Sequence, residues 1–397
     1  MPVLLQIDSC LGVGSTGRIT ESIGELATAN GWDCYIAHGA RYVGKSNMNS
    51  VSVGSICSEY RHALKSMLFD MHGLGSSFET RRLIDKIKTI KPDVIHLHCI
   101  HGYYLNYQIL FEYLNTIHIP IVWTFHDCWA FTGHCAHFIT SGCDKWKNGC
   151  NNCPLLSEYP KSLIDNSTNN YIKKKKLFSS NDNLHIVAVS SWMKNLVDSS
   201  FLSGKDIRVI NNGVDLNRFA PVEHNLTNKL LLGVASSWNN AKGLSDFYSI
   251  RESLPEDYEM LLVGLTDKQI KALPNGIKGI TRTESIEQLA ELYSKAMVLV
   301  NPTYADTFPT VNIEALACGT PVITYNTGGS PEVIDSQTGI VVEQGDIEGI
   351  VNAIMTIHKN PISSVKCRER AVKYFNKDER FWDYIHLYEE LIYVKDE

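Results

Sequence analysis

Short continuous apolar runs alternate with stretches of helical period along nearly the whole chain. The first half carries VLLQI (3–7), CYIA (34–37), DVIHLH (93–98), PIVWTF (120–125), HIVAV (185–189) and IRVI (207–210). The second carries KLLLGVA (229–235), YEMLLVG (258–264), IKGI (277–280), MVLVNP (297–302) and PVITY (321–325). These runs are short, β-branched and apolar at successive positions, as strands buried on both faces of a parallel sheet are. Between them, segments such as 16–31 repeat apolar residues at helical spacing and stop on a glycine, here Gly31. Alternating strand and helix predicts an α/β fold of parallel sheets with helices on both faces. The polar stretch 217–229, with Pro221, reads as a linker. It divides the chain into two facing Rossmann-like domains, 1–220 and 221–376. A long aromatic helix, 377–397, is expected to pack back across the linker onto the first domain.

Composition adds limits rather than detail. A chain of 397 residues with 44% hydrophobic and 20% charged positions suits two or three soluble domains with large cores. A net charge of −6 gives no reason to expect a nucleic-acid partner. The run Lys173–Lys176 reads as a solvated helix face, with contact to an anionic membrane surface as the alternative. No apolar run is long enough to span a bilayer, and MPVLLQIDSC reads as a first strand rather than a signal peptide. Eleven cysteines without a secretory signal then point to a reducing, cytoplasmic setting.

The loop GVGSTG (12–17) fits the G-x-G-x-x-G pattern of dinucleotide binding. That reading needs a strand ending at the first glycine and an acid at the end of the next strand for the ribose. If the strand ends at Ile7, four residues (DSCL) intervene, and Asp33 precedes CYIA instead of following it. The nicotinamide-cofactor reading therefore fails. What remains is a loop at a helix N-terminus, where Gly14 and Gly17 let an anion approach the backbone. The alternative is a tight turn with no ligand.

The stretch YADTFPTVNIEALACGTPVITYNTGGSPE (304–332) carries more chemistry. Pro309 fits the first turn of a helix that Gly319 stops. The amides around Phe308, Pro309, Thr310 and Val311 would then form an anion site at the end of MVLVNP. Asp306 lies just before that helix and Glu314 in its second turn, so a diphosphate there would have a carboxylate on either side. Lys242, before Gly243 at another helix start, could meet a phosphate as a point charge, although a lone surface Lys-Gly is usually about solubility. In the first half, His126 of WTFHDCW stands at the crevice end of a strand, where open α/β sheets bind ligands. His98 and His101 end the neighbouring run and read equally well as satisfied rim residues.

Taken together, these residues resemble family 4 of the glycosyltransferases, which has the GT-B fold of two facing Rossmann-like domains. The resemblance spans the chain and is strongest in ADTFPTVNIEALACGTPVI. It is also visible in VINNGVDLNRFAP (209–221) and TGGSPEVI (327–334). The blocks HLHCIHGYYLN and WTFHDCW are similar to the subgroup that builds bacterial exopolysaccharide, capsule or lipopolysaccharide repeats. The resemblance implies a nucleoside diphosphate sugar donor, a glycan acceptor, lipid-linked in some members, peripheral contact with the membrane surface, and retention of anomeric configuration. It implies Glu314 on the ribose, Asp306 and His126 at the donor sugar, and Lys242 with the amides of 308–311 on the diphosphate. Gly14 and Gly17 would form a lip of the cleft, and no cofactor is required for catalysis. Two positions depart from the family: Asp306 stands where Glu is usual, and Ser237 where an Arg is usual. Arg18 and Arg282 are candidates to replace that charge. A sugar-nucleotide epimerase, a phosphorylase and a non-catalytic sugar-nucleotide binder are the rival readings.

The segment 127–156 after His126 reads as an insertion rich in cysteine. Cys135, Cys143, Cys150 and Cys153 could hold a structural zinc, with His134 and His137 as substitute ligands. The spacing matches no common zinc motif, and unbound thiols, a disulfide or an iron–sulfur cluster are the alternatives.

Overall fold

A computed structural model describes residues 1–223 and 229–393. Residues 224–228 of the expected linker and 394–397 of the last expected helix lie outside the described residues. The chain divides into two compact units, Met1–Ile210 with Phe381 onward, and Asn211–Arg380. The division falls after Ile210, ten residues before the expected boundary, because the NNGVD segment joins the second unit: Val214 pairs with Asn376.

The first unit is a parallel seven-stranded sheet ordered β3-β2-β1-β4-β5-β6-β7. Its strands are β1 Val3–Leu11, β2 Asp33–Val43, β3 Asn49–Ser52, β4 Val94–Leu97, β5 Ile121–Phe125, β6 Leu184–Ala188 and β7 Asp206–Val209. Strand alternation sorts its apolar residues onto two faces. Leu5, Ile95, Trp123 and Ile186 meet the helices Ser77–Ile90, Tyr107–Leu114 and Ser167–Ser179. Leu4, Val94, Val122 and Val187 meet the helix Gly14–Ala29 and the C-terminal helix Lys377–Tyr393, through Phe381, Tyr384, Ile385 and Tyr388. That last helix is also held by polar bonds in the core. Tyr388 Oη lies 2.6 Å from His96 Nδ1, and Thr124 Oγ1 donates to Tyr384 Oη at 3.2 Å.

The second unit is a six-stranded parallel sheet ordered β10-β9-β8-β11-β12-β13. Its strands are β8 Leu230–Val234, β9 Glu259–Val263, β10 Ile277–Ile280, β11 Val298–Asn301, β12 Val322–Tyr325 and β13 Gly339–Val342. Its core gathers Leu231, Leu262, Val300 and Ile323 with Phe247, Ile250, Ile350 and Ile354 from the helices.

Three local expectations change. Two edge strands stand outside the expected runs: β3 (NSVS) is polar and mostly exposed, while β13 (GIVV) is apolar but only four residues long and partly exposed. Strand β1 continues to Leu11, directly before Gly12, so the four-residue gap does not exist. The dinucleotide reading then fails on the acid alone, since Asp33 opens β2. Finally, the Lys173–Lys176 run is not a uniformly solvated face: Lys174 is 1% exposed.

Candidate active site

In the second unit, β11 delivers the chain into a loop and then the helix Thr310–Ala317. Pro309 is the N-cap of that helix rather than part of its first turn. It has no N–H to donate, so its contribution is a fixed φ. Gly319, at φ +80°, takes the left-handed position just past the helix, as a C-terminal glycine does. Asp306 lies in the loop. Its carbonyl accepts from the Gly329 N–H at 3.3 Å, and a Cβ on Gly328 would stand 1.8 Å from that oxygen. The glycine pair of TGGS is therefore what lets the backbone close under Asp306.

Lys242 ends a turn capped by Asn239, and Gly243, at φ +69°, turns the chain into the helix Leu244–Ser253. A Cβ on Gly243 would meet the Pro302 carbonyl at 2.2 Å, so this turn packs directly on the β11 loop. The Tyr304 N–H donates to the Ala241 carbonyl at 2.8 Å, tying the two loops together. The result is an ion pair, Lys242 Nζ to Asp306 Oδ2 at 2.6 Å, joining residues 64 apart in sequence. The other oxygen of Asp306 accepts from the Phe308 N–H at 3.3 Å, so that amide is already in use. Asn212 donates to the Phe308 carbonyl at 3.2 Å, a brace from the NNGVD segment to which sequence reasoning gave no role.

Glu314 is half-buried on the same helix and accepts from the Tyr293 hydroxyl at 2.9 Å. Burial and then the Glu314 charge push the Tyr293 phenol well above its ordinary range, so the phenol keeps its proton and donates it. Ser237 is exposed. Arg251, Arg368 and Arg370 are bound to backbone carbonyls and do not replace the charge missing there. Arg282 is exposed, and Arg18 belongs to the first unit.

In the first unit, His126 follows β5 and meets His98, which follows β4, at 3.1 Å between His126 Nε2 and His98 Nδ1. His98 Nε2 lies 3.2 Å from Gln6 Oε1, while the Gln6 amide nitrogen donates to the Thr20 carbonyl. That network assigns the tautomers. Gln6 Oε1 must accept, so His98 carries its proton on Nε2 and offers Nδ1 as an acceptor. His126 then carries its proton on Nε2. Burial lowers His126 to about 4, and burial with the neighbouring His96 and His126 lowers His98 well below its ordinary value, so both rings are neutral near pH 7.

Beside them His101 Nε2 and Asp127 Oδ2 lie 2.8 Å apart, and the Trp129 N–H donates to Asp127 Oδ1 at 2.8 Å. Burial would raise the Asp127 carboxyl, but His101, with His137 and the Trp129 N–H, together outweigh it and hold Asp127 well below the usual carboxylate range. Asp127 is the partner that sequence reasoning left without a role. Cys99, His101 and Asp127 are the one set of three ligand atoms within 4.8 Å of one another among the described residues. Both His101 nitrogens already have partners, Nε2 with Asp127 Oδ2 and Nδ1 with the Tyr159 hydroxyl at 3.3 Å. A second residue without a sequence signal is Asp8, inside β1. Burial raises it to about 6, although Thr20 Oγ1 and the Ser9 N–H donate to it.

The glycine loop is shorter than expected. Gly14, at φ +70°, opens its helix with nothing near its Cβ direction, while Gly17 packs against the Cys10 side chain. Gly14 thus leaves the helix start accessible, and Gly17 serves helix–strand packing.

Residues 58–218 match the model of Glycosyltransferase Family 4, and residues 228–360 that of Glycosyl transferases group 1. The chain belongs to these glycosyltransferases. It is 24% identical, over 98% of its length and 100% of the relative's, to an Escherichia coli K12 chain provisionally assigned as the colanic acid biosynthesis glycosyl transferase WcaC. It is 28% identical to the MMP alpha-(1->4)-mannosyltransferase of Mycolicibacterium hassiacum, over 52% of this chain and 54% of that one. Among solved structures, sucrose-phosphate synthase from Thermosynechococcus elongatus aligns with a TM-score of 0.76 at 18% identity, covering 99% of this chain and 100% of that one. Anabaena HepE in complex with UDP and glucose aligns at 0.65 and 14%, covering 98% and 99%. At these identities the likeness establishes the fold of this glycosyltransferase, GT-B, and not its substrates.

Proposed function

We propose that this glycosyltransferase moves a sugar, with retention, from a nucleoside diphosphate sugar to a hydroxyl of a growing bacterial surface glycan. The observation that carries the reading is the Lys242–Asp306 ion pair beside the start of the helix that bears Glu314. Charge builds on the departing diphosphate in such a transfer. A helix N-terminus and an ammonium already in place stabilise it without reorganisation at the moment of reaction. Glu314, held by Tyr293, accepts the ribose hydroxyls. Asp306 orients the donor sugar while its contact with Lys242 keeps that ammonium in position. His126, neutral and aimed by His98, contacts the donor sugar. No carboxylate nucleophile is needed if the acceptor attacks from the face the diphosphate leaves, with a diphosphate oxygen taking the acceptor proton. The reading invokes no cofactor. The colanic acid assignment of the full-length relative and the UDP in HepE support a surface polysaccharide and a nucleotide-linked donor. A lipid-linked acceptor would bring the protein to the membrane surface; no described helix is long and apolar enough to cross a membrane.

The test is a thermal-shift panel of nucleoside diphosphate sugars, followed by turnover of the best binder and NMR of the product's anomeric centre. A ligand at a hundred times its Kd stabilises the native state by about 2.7 kcal/mol, a readable shift. Retained configuration is expected. Donor interconversion without any acceptor would establish the epimerase instead, and binding with no turnover the non-catalytic reading.

A further inference from the structure

The insertion after β5 holds a cluster that the transfer reaction does not use. Thr132–Leu155 contains only the short turns Ile139–Ser141 and Lys145–Lys147, yet it is packed around a small pocket. Cys135, Cys143, Cys150 and Cys153 all line that pocket, together with His134 and Trp146. All are free thiols. The Gly133 N–H donates to Cys150 Sγ at 3.1 Å. Side chains from four points along 19 residues converge without regular structure to bring them together.

Two further observations fit a cation-binding thiolate cluster. Lys174 is 1% exposed and forms no ion pair among the described residues; its ammonium donates to the Trp129 and Thr132 carbonyls at 2.6 and 3.0 Å. Thr132 also lines the thiol pocket, so this buried positive charge stands at the edge of the cluster, where an anionic metal–thiolate centre would compensate it. Secondly, the pocket holds one competing nitrogen: His134 Nδ1 is held by Asp70 Oδ1 at 2.6 Å, while His134 Nε2 is buried with no hydrogen-bond partner among the described residues, so the test must separate it from the fourth thiolate.

We propose that Cys135, Cys143, Cys150 and Cys153 bind one structural zinc ion as four thiolates. Four thiols give up four protons to solvent and form four Zn–S bonds. The product carries a net charge of −2, which the Lys174 ammonium partly offsets. A closed four-sulfur site is the usual structural zinc arrangement, with Zn–S near ~2.3 Å. No three of these sulfurs now lie within 4.8 Å of one another, so binding draws the turns inward. The consequence reaches the site described above: Trp129, beneath the Lys174 ammonium, supplies the N–H that fixes Asp127 against His101. The metal is thus a positioning element for the His101–Asp127 pair and takes no part in the transfer.

The test is zinc content by mass spectrometry of protein purified without chelator, with the ligand-field spectrum of cobalt-substituted native protein. One zinc per chain and a tetrahedral four-sulfur cobalt spectrum are expected. The double variant Cys150→Ser/Cys153→Ser should lose the metal. Cys128→Ser, a buried thiol outside the pocket, and His134→Asn should keep it. Substoichiometric zinc with no cobalt–thiolate absorption overturns the proposal even if the serine variants fail to fold. A three-sulfur, one-nitrogen spectrum, or zinc lost in His134→Asn, overturns the four-thiolate set.

Discussion

Lys242→Met removes the ammonium that lies 2.6 Å from Asp306, and its effect should depend on whether Asp306 keeps its charge. At 2.6 Å and an effective dielectric of about 20, Coulomb's law sets a ceiling of about 6 kcal/mol on that attraction. The side chains are 31% and 19% exposed, so solvent screening reduces the pair to about 1–2 kcal/mol. Loss of Lys242 removes a favourable charge from the diphosphate and leaves Asp306 repelling it. Affinity for the nucleoside diphosphate should fall by about 5–30-fold, since 1.4 kcal/mol is tenfold. Affinity for the bare nucleoside should hold. Asp306→Asn frees the ammonium, so diphosphate affinity should rise while turnover of the donor falls. The double variant should bind the diphosphate better than Lys242→Met alone. Calorimetric titration of nucleoside, nucleoside monophosphate and nucleoside diphosphate into the four proteins completes the cycle. If Asp306→Asn leaves diphosphate affinity unchanged in both backgrounds, Asp306 does not share an electrostatic site with the phosphates. If Lys242→Met weakens nucleoside equally, Lys242 acts on structure rather than on the diphosphate.

Two other outcomes follow from the geometry. Glu314→Ala should weaken the nucleoside itself by about 1.5–3 kcal/mol, the range for hydrogen bonds to a charged group, and Tyr293→Phe should do so less; affinity for a 2′,3′-dideoxynucleoside diphosphate unchanged between wild type and Glu314→Ala, with ribonucleotide affinity lost, marks the ribose contact, whereas equal losses refute it. His62 should make stability depend on pH, because its Nε2 accepts from the Gly73 and Gly75 N–H groups at 3.1 and 3.0 Å and must stay unprotonated. Burial lowers His62 to about 4, so between there and its unfolded value near ~6.5 the unfolded chain binds more protons and stability rises with pH. The contribution is complete above about pH 6.5, and up to about 3 kcal/mol of it is lost by pH 4. Urea unfolding of wild type and His62→Gln from pH 7.5 to 4.5 should give the variant the shallower slope, and parallel slopes would refute the assignment.

The parts legible in the sequence were those with local causes. Central strands such as Ile121–Phe125 and Val298–Asn301 are buried on both faces, so their apolar runs announce them. Edge strand Asn49–Ser52 is polar, exposed and carries no such run; Gly339–Val342 is apolar, but at four residues with two of them partly exposed its run is too short to stand out. Asp306 and Glu314 could be read because both sit on one loop–helix segment whose start and stop are written by Pro309 and Gly319. Asn212 and Asp127 could not, because their partners Phe308 and His101 are 96 and 26 residues away in sequence. Lys174 was misjudged because charge patterning sees only a run of lysines, whereas the fold places one of them over the Trp129 ring at 3.4 Å.

By itself, then, the sequence determined two parallel-sheet units, their apolar faces and the acids flanking one helix start. Those features follow from periodicity and turn chemistry within ten or twenty residues. Tertiary structure alone decided that Lys242 is spent on Asp306, that Gly328 makes room under that acid, and that His98 and Gln6 fix the proton on His126. The Lys242–Asp306 and Gln6–His98 contacts join strands that neighbour one another in the sheet order and not in the chain, β8 with β11 and β1 with β4, while the Gly328–Asp306 and His98–His126 contacts join the ends of consecutive strands. A linear pattern can specify what kind of side chain each strand end offers, but the hydrogen-bonded register of the sheet sets which of them meet.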